Sequence, residues 1–348
     1  MSSLAAQLTI DLDAIVANWR TLDAKTALNC TTAAVVKADA YGCGTASVGR
    51  ALARAGVNTF FVAVPAEGAA LRAAIGPSPL IYILGGYGRD QHGLYQANAL
   101  RPCLNSARQY KDWLLDGGGP AGIQLDTGMN RLGMEADELT SLGPLSADID
   151  LLMSHMGNAD EPGHPLNADQ NAEFRRLTDD LSGLKSLSAT AGLLLGKDYH
   201  FDMTRMGIGL YGGWPFLEAK RVVTVETPII QTRDLAAGET VGYGATFTAE
   251  RPTKIATISA GYADGLIRAL SNGATAFIHN HPVPLAGRVS MDLITLDVTE
   301  APRCAPGDMV ELLGPNQSID DLAKAAGTIG HEILTSLGSR YARHYDGG

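Results

Sequence analysis

Lys37 stands at the end of the apolar run AAVV and opens ADAYGCG, a small-residue turn that holds Tyr41. An amine hemmed in by apolar strand residues loses solvation. Its pKa falls, and it becomes both a nucleophile toward carbonyl carbon and a base. Further along, DTGMNR brings Arg131, SHMGNAD brings His155, SLSAT brings Thr190, and HFDMTRMGIG brings Arg205 followed by two glycines. A lysine, two arginines, an imidazole, a phenol and a hydroxyl suit Schiff-base chemistry on an anionic ligand. Pyridoxal 5′-phosphate is the commonest reason for such a lysine, and it needs a phosphate site as well. Glycines and a hydroxyl near the last strands would supply one. No trio of His, Asp and Glu stands out, so metal-dependent hydrolysis is not indicated. Each residue also has a plain reading: Lys37 as a solvated strand end, His155 as a hydrogen-bonded core residue, Arg205 as a surface ion pair, Thr190 as a helix cap. Spacing alone supports a barrel enzyme that binds phosphate.

The elements that must position these groups are short apolar runs. They are AAVV at 33, FFVAV at 60, LIYIL at 80, ALRPCL at 99, GIQL at 122, DLLMS at 150, SLSA at 186 and GIGLY at 207. Helix-like stretches lie between them, including TASVGRALARAG, EGAALRAA and NADQNAEFRRLTDDL. Strands alternating with helices imply parallel pairing by crossover. Eight such units predict an α/β fold, a (β/α)₈ TIM-type barrel, with chemistry at the C-terminal ends of its strands. An open, doubly wound sheet satisfies the same alternation. The first strand would deliver Lys37 and Tyr41, the fifth Arg131, the sixth His155 and the seventh Thr190, with the last beginning just after Arg205.

The pattern changes near Arg221. RVVTVETPIIQ, KIATISAG, ATAFIH, DLITLDV and DMVELLG follow closely, so a mostly β C-terminal domain is expected. SIDDLAKAAG reads as one helix within it, with Ser318 as N-cap and Gly327 as the stop. The expected units are residues 1–222 and 223–348, packed together because no Pro-, Ser- or charge-rich linker divides them.

The formal charge of −10 argues against a nucleic-acid partner. The start, MSSLAAQLTIDLD, has no basic n-region followed by an apolar h-region. No apolar run approaches the roughly 20 residues of a membrane span. The four cysteines show no CxxC spacing, so neither a zinc site nor a disulfide framework is expected, and a cytoplasmic location fits.

The wording of the segments adds to this. AVVKADAYGCG, DTGMNRLG, SHMGNADE, YHFDMTRMGIGLYG, VGYGATFTA, ISAGYADG and GRVSMD resemble the motifs of the alanine racemase family, in the family's order, from residue 33 to about 345. The resemblance implies a pyridoxal-phosphate-binding barrel followed by a β domain, in a head-to-tail homodimer whose β domains complete each other's active sites. It implies interconversion of L- and D-alanine by a two-base mechanism on the external aldimine, with Lys37 as one base and Tyr243 of the other subunit as the second. By the same resemblance Arg205 meets the pyridine nitrogen, and Tyr41, Thr190, Gly207, Ile208 and His331 contact the phosphate. His155 lies near the ring, Arg131 and Met291 take the substrate carboxylate, and Asp160, Tyr262, Arg268 and Arg288 line the entry. The role implied is D-alanine supply for peptidoglycan precursors, or D-alanine catabolism.

Two positions depart from the family's pattern. Gln124 stands where many members have a carbamylated lysine, which leaves Arg131 without that charge or lets an anion such as chloride take its place. His331 stands where a tyrosine is usual, which predicts looser exclusion of a side-chain hydroxyl and racemisation of serine beside alanine. Two further readings are a serine or broad-specificity racemase and a non-catalytic pyridoxal-phosphate carrier. The carrier reading conflicts with the second domain, since such carriers lack one.

Overall fold

The computed structural model describes residues 5–146 and 148–348. The first four residues of the stretch read for a leader lie outside the described residues. The chain opens with strand β1 (Gln7–Asp11) and helix Leu12–Lys25, whose Ala14 amide is capped by Asp11 Oδ1 at 2.7 Å. Eight strands then alternate with helices: β2 (Thr31–Val35), β3 (Thr59–Val62), β4 (Leu80–Ile83), β5 (Arg101–Leu104), β6 (Ala121–Gln124), β7 (Ile149–Met153), β8 (Leu184–Ser186) and β9 (Met203–Met206). They pair in parallel in the order β8-β7-β6-β5-β4-β3-β2-β9. The ring closes between β8 and β9, where Asp202 N–H donates to Lys185 O and Arg205 N–H to Ser188 O, both at 2.9 Å. The barrel, not the open sheet, is the architecture. Its strands are buried on both faces, as in the wholly buried TFFV of β3.

The last barrel strand differs from the expected one. GIGLY is not a strand: Ile208–Tyr211 forms a 3₁₀ turn, and β9 is the preceding Met203–Met206. That segment carries the buried polar Thr204 and Arg205, so it has no continuous apolar run. Thr190 Oγ1 accepts the amides of Gly207 and Gly209 at 3.2 and 3.3 Å, which pulls GIGLY out of the sheet.

The second unit holds β10 (Val223–Leu235), β11 (Thr240–Val241), β12 (Phe247–Thr248), β13 (Thr253–Ile258), β14 (Thr275–Ile278), β15 (His281–Pro284), β16 (Ile294–Asp297), β17 (Met309–Leu313) and β18 (Ala342–Asp346). The long β10 is its spine, antiparallel to β1, β13 and β17. β1 also pairs in parallel with β18, so the first and last strands of the chain tie the sheet to the barrel. Helix Ile319–Ala326 starts at a Ser318–Asp321 capping box and stops at Gly327, whose φ is +68°. A second helix, Gly330–Ser336, follows after three residues and was not expected; at seven residues it is too short to show a helical period. Among the described residues no helix is long and apolar enough to cross a membrane.

Candidate active site

The chain leaves β2 through an unusual turn. Ala38, Asp39, Ala40 and Tyr41 have φ between +52° and +54°, four consecutive left-handed residues with no glycine among them. Such backbone costs an L-residue roughly 1–2 kcal/mol, and neighbours must hold it. Ala40 N–H donates to Val36 O at 3.0 Å and Gly42 N–H to Ala38 O at 2.8 Å. Asp39 Oδ1 accepts the Thr45 amide at 2.8 Å, and Glu67 Oε1 accepts the Ala38 amide at 2.7 Å. The turn packs the buried Tyr41 ring on Tyr211, with centroids 4.5 Å apart.

From β9, the strand paired with β2, comes Arg205, buried to 3 % exposure. Its Nη1 donates to Ser186 O (2.9 Å) and Ser186 Oγ (2.6 Å), and its Nη2 to Ser154 O (2.6 Å) and Leu187 O (3.3 Å). These acceptors are all neutral, so the charge is solvated by dipoles and left uncompensated. Burial brings its pKa down to about 10, and it stays protonated at neutrality. Arg205 therefore sits inside the barrel, not in a surface ion pair.

These groups meet in a cavity of about 860 Å³ at the C-terminal mouth of the barrel. Lys37, Tyr41, Arg131, His155, Thr190, Arg205, Gly207, Ile208 and His331 all line it, as do Gln124 and Asp160. Burial pushes the Lys37 amine below its ordinary pKa; Arg131 and Arg205 push the same way, and Glu67 opposes them. Burial and the charges of Arg205, Arg131 and Lys37 bring His155 down to about 3, so it is neutral. His331, whose ring centroid lies 5.8 Å from that of Tyr41, is held below its ordinary value by burial and by Lys37, with Asp320 opposing.

Pyridoxal phosphate asks for an amine, a phosphate cradle and a partner for its ring nitrogen, and the cavity has groups to match. Among the described residues the Lys37 amine, the Tyr41 hydroxyl and Arg205 Nε have no hydrogen-bond partner. A Cβ on Gly207 would come within 2.6 Å of Tyr41 Oη, so glycine keeps the wall open beside that hydroxyl. The residues present fit an anion that carries an aldehyde and a phosphate.

Arg131 rides on a loop pinned by Asp126, which accepts the amides of Gly128, Asn130 and Arg131. Among the described residues no carboxylate pairs with the Arg131 guanidinium. Gln124 Nε2 instead donates to Leu132 O at 3.0 Å, so Gln124 braces the loop backbone.

Tyr243, Met291, Tyr262, Arg268 and Arg288 do not line this cavity. They lie exposed on the β unit, with Tyr243 at 71 % and Met291 at 53 %. Four of them are neighbours: Tyr262 N–H donates to Ser290 O and Ala263 N–H to Met291 O, both at 3.0 Å, and the Arg288 guanidinium lies against Gly244, next to Tyr243.

Sequence reasoning passed over Glu67 and Gln170. Glu67 follows Pro65 at a helix start, which signals an N-terminal cap but not its reach to Ala38. The buried Gln170 accepts the Gly157 amide at 2.8 Å and donates to His155 O at 3.0 Å, fixing the loop that carries His155. A glutamine on a helix gives no sign of this in sequence.

Comparison with known proteins agrees with the geometry. Residues 10–215 match the alanine racemase N-terminal domain and residues 222–345 the alanine racemase C-terminal domain. The chain is 53% identical over 343 residues to an alanine racemase of Cereibacter sphaeroides, covering 98% of each chain. It is 54% identical over 346 residues to one of Dinoroseobacter shibae, covering 99% of each. Among solved structures it resembles the Bartonella henselae alanine racemase with covalently bound pyridoxal phosphate, with a TM-score of 0.94, 40% identity and coverage of 99% of this chain and 100% of that one. The biosynthetic alanine racemase of Pseudomonas aeruginosa gives a TM-score of 0.93 at 35% identity, with the same coverage. Fold, site and full-length similarity point the same way: the chain belongs to the alanine racemase family.

Proposed function

We propose that the protein interconverts L- and D-alanine with pyridoxal 5′-phosphate as cofactor, at a site shared between two copies of the chain. When bound, the cofactor supplies the electron sink that acidifies the amino acid's Cα–H. Lys37 holds the cofactor and moves a proton at Cα on one face. Tyr243 of a second copy moves a proton on the opposite face, since inversion needs a base on each side. Arg205 would hold the ring nitrogen as a protonated donor and would pass it no proton. Arg205 there would favour return of the proton to Cα. Tyr41, Thr190, Gly207, Ile208 and His331 hold the phosphate, and His155 packs near the ring. Arg131, with the backbone of Met291 from the second copy, orients the substrate carboxylate. Asp160, Tyr262, Arg268 and Arg288 line the entry.

One observation carries this reading: the unpartnered Lys37 amine, Tyr41 hydroxyl and Arg205 Nε converge on one cavity beside Gly207. We further propose units of 1–222 and 223–348, with β1 lent to the second sheet, and a reaction in the cytoplasm, where the free cysteines stay reduced. D-alanine for peptidoglycan precursors is the proposed product use. The test is to load the protein with cofactor, reduce with borohydride and locate the added mass, while following optical rotation of L-alanine. The label belongs on Lys37, and Lys37→Ala should lose both label and racemisation. Full racemisation by Lys37→Ala would sink the assignment.

A further inference from the structure

We infer that Glu67 is a positioning residue for Lys37, acting through the backbone of the left-handed turn. The inference rests on the reading of Lys37 as the reacting lysine. Glu67 lies in the first turn of helix Pro65–Ile75, after β3. One carboxylate oxygen, Oε2, accepts the amides of Ala63 (2.8 Å) and Val64 (3.4 Å), closing the helix start. The other, Oε1, accepts the amide of Ala38, the residue after Lys37, at 2.7 Å. A single carboxylate thus ties the end of β3 to the first left-handed residue beyond β2. Asp39 and Arg343 secure the far end of the same turn: Asp39 accepts the Thr45 amide, and Arg343 Nη1 donates to Gly42 O at 2.7 Å. Released at its entry, the turn would relax toward right-handed backbone, and Lys37 would swing with it.

Glu67 also shapes the charge around the amine. Arg131 from the loop after β6, His155 from the loop after β7, Arg205 from β9 and His331 from helix Gly330–Ser336 share the cavity with Lys37, along with Tyr41 on its own turn and Asp160. Of the charges acting on the amine, those of Arg131 and Arg205 disfavour its protonation and that of Glu67 favours it.

Glu67→Gln tests this, because it keeps size but not symmetry. An amide has one acceptor oxygen, so it cannot serve Ala38 and Ala63 together, and its NH₂ opposes the other amide. The readouts are peptide hydrogen exchange over residues 37–44 in the holoenzyme, the pH dependence of Lys37 acetylation by competitive labelling of the cofactor-free protein, and racemisation kinetics. Expected for Glu67→Gln are exchange about tenfold faster over 37–44, a lower Lys37 titration midpoint, and kcat reduced about tenfold to a hundredfold with a smaller change in KM. Glu67→Asp keeps the charge and should hold the Lys37 midpoint nearer the wild-type value. If exchange over 37–44 and the Lys37 midpoint stay at wild-type values in Glu67→Gln, even with a lowered melting temperature, Glu67 is only a helix cap and the inference falls. The reading of Lys37 itself fails separately, through an active Lys37→Ala.

Discussion

His155 shows how one residue carries the electrostatics of the whole site. It faces Lys37, Arg131 and Arg205, and its pKa is brought down to about 3 by burial and by those three cations. In the unfolded chain an imidazole protonates near its ordinary 6.5. Between these values the unfolded state binds the extra proton, so acid favours unfolding. The stability tied to a neutral His155 is whole above pH 6.5 and is lost as pH falls toward 3. For the cofactor-free protein this amounts to about 1–2 kcal/mol by pH 5. Urea midpoints at pH 7 and pH 5 should show that loss, and His155→Gln should reduce it. An unchanged difference would mean that the imidazole charges freely in the fold. The position of His155 was legible in sequence because it follows an apolar strand. Its proton state was not, because the three cations come from three other segments. The setting of Arg205 was not legible, since four neutral acceptors from the ends of β7 and β8 stand where a carboxylate would be expected.

At the scale of the element, the left-handed turn and helix Gly330–Ser336 are built for each other. Gly42 ends the turn at φ +78°, and a Cβ there would lie 2.3 Å from the carbonyl oxygen of Leu334. Alanine at this position therefore meets two penalties, backbone strain and collision with a helix that cannot shift without dragging His331 along. We expect Gly42→Ala to lower stability by about 3 kcal/mol or more, measured as a urea midpoint, and to weaken cofactor binding by moving Tyr41. A variant with wild-type stability would show that the turn and helix are free to separate. Most barrel strands, and β10, β13, β14, β16 and β17 of the β unit, could be read because apolar runs and turns mark them. β9 and the 3₁₀ turn after it could not, because Arg205 interrupts the run and Thr190 diverts the glycines by side-chain hydrogen bonds. The left-handed turn was equally hidden: KADAY has no glycine before Gly42, and the tie at its entry comes from Glu67, distant in sequence.

At the scale of the molecule, the cavity and the exposed face of the β unit do not meet within one chain. The cavity holds Lys37, while Tyr243, Tyr262 and Met291 lie exposed on the β unit. Large exposed side chains gathered with Arg288 on one face are suited to covering a second chain's cavity. In a head-to-tail pair each copy would supply Lys37 to one site and Tyr243 to the other. This arrangement can be separated from any single-chain alternative by mixing two dead enzymes. On the proposed reading Lys37→Ala would lack the base of its own cavity, and Tyr243→Phe the base it lends. If they are unfolded and refolded together, half of the dimers are mixed. In a mixed dimer one site carries both lesions and the other carries neither. Activity should therefore return to about a quarter of the wild-type value, and it should fall on dilution as dimers separate. If Tyr243 served its own chain, each subunit would keep its own lesion, every site would stay broken, and mixing would restore nothing.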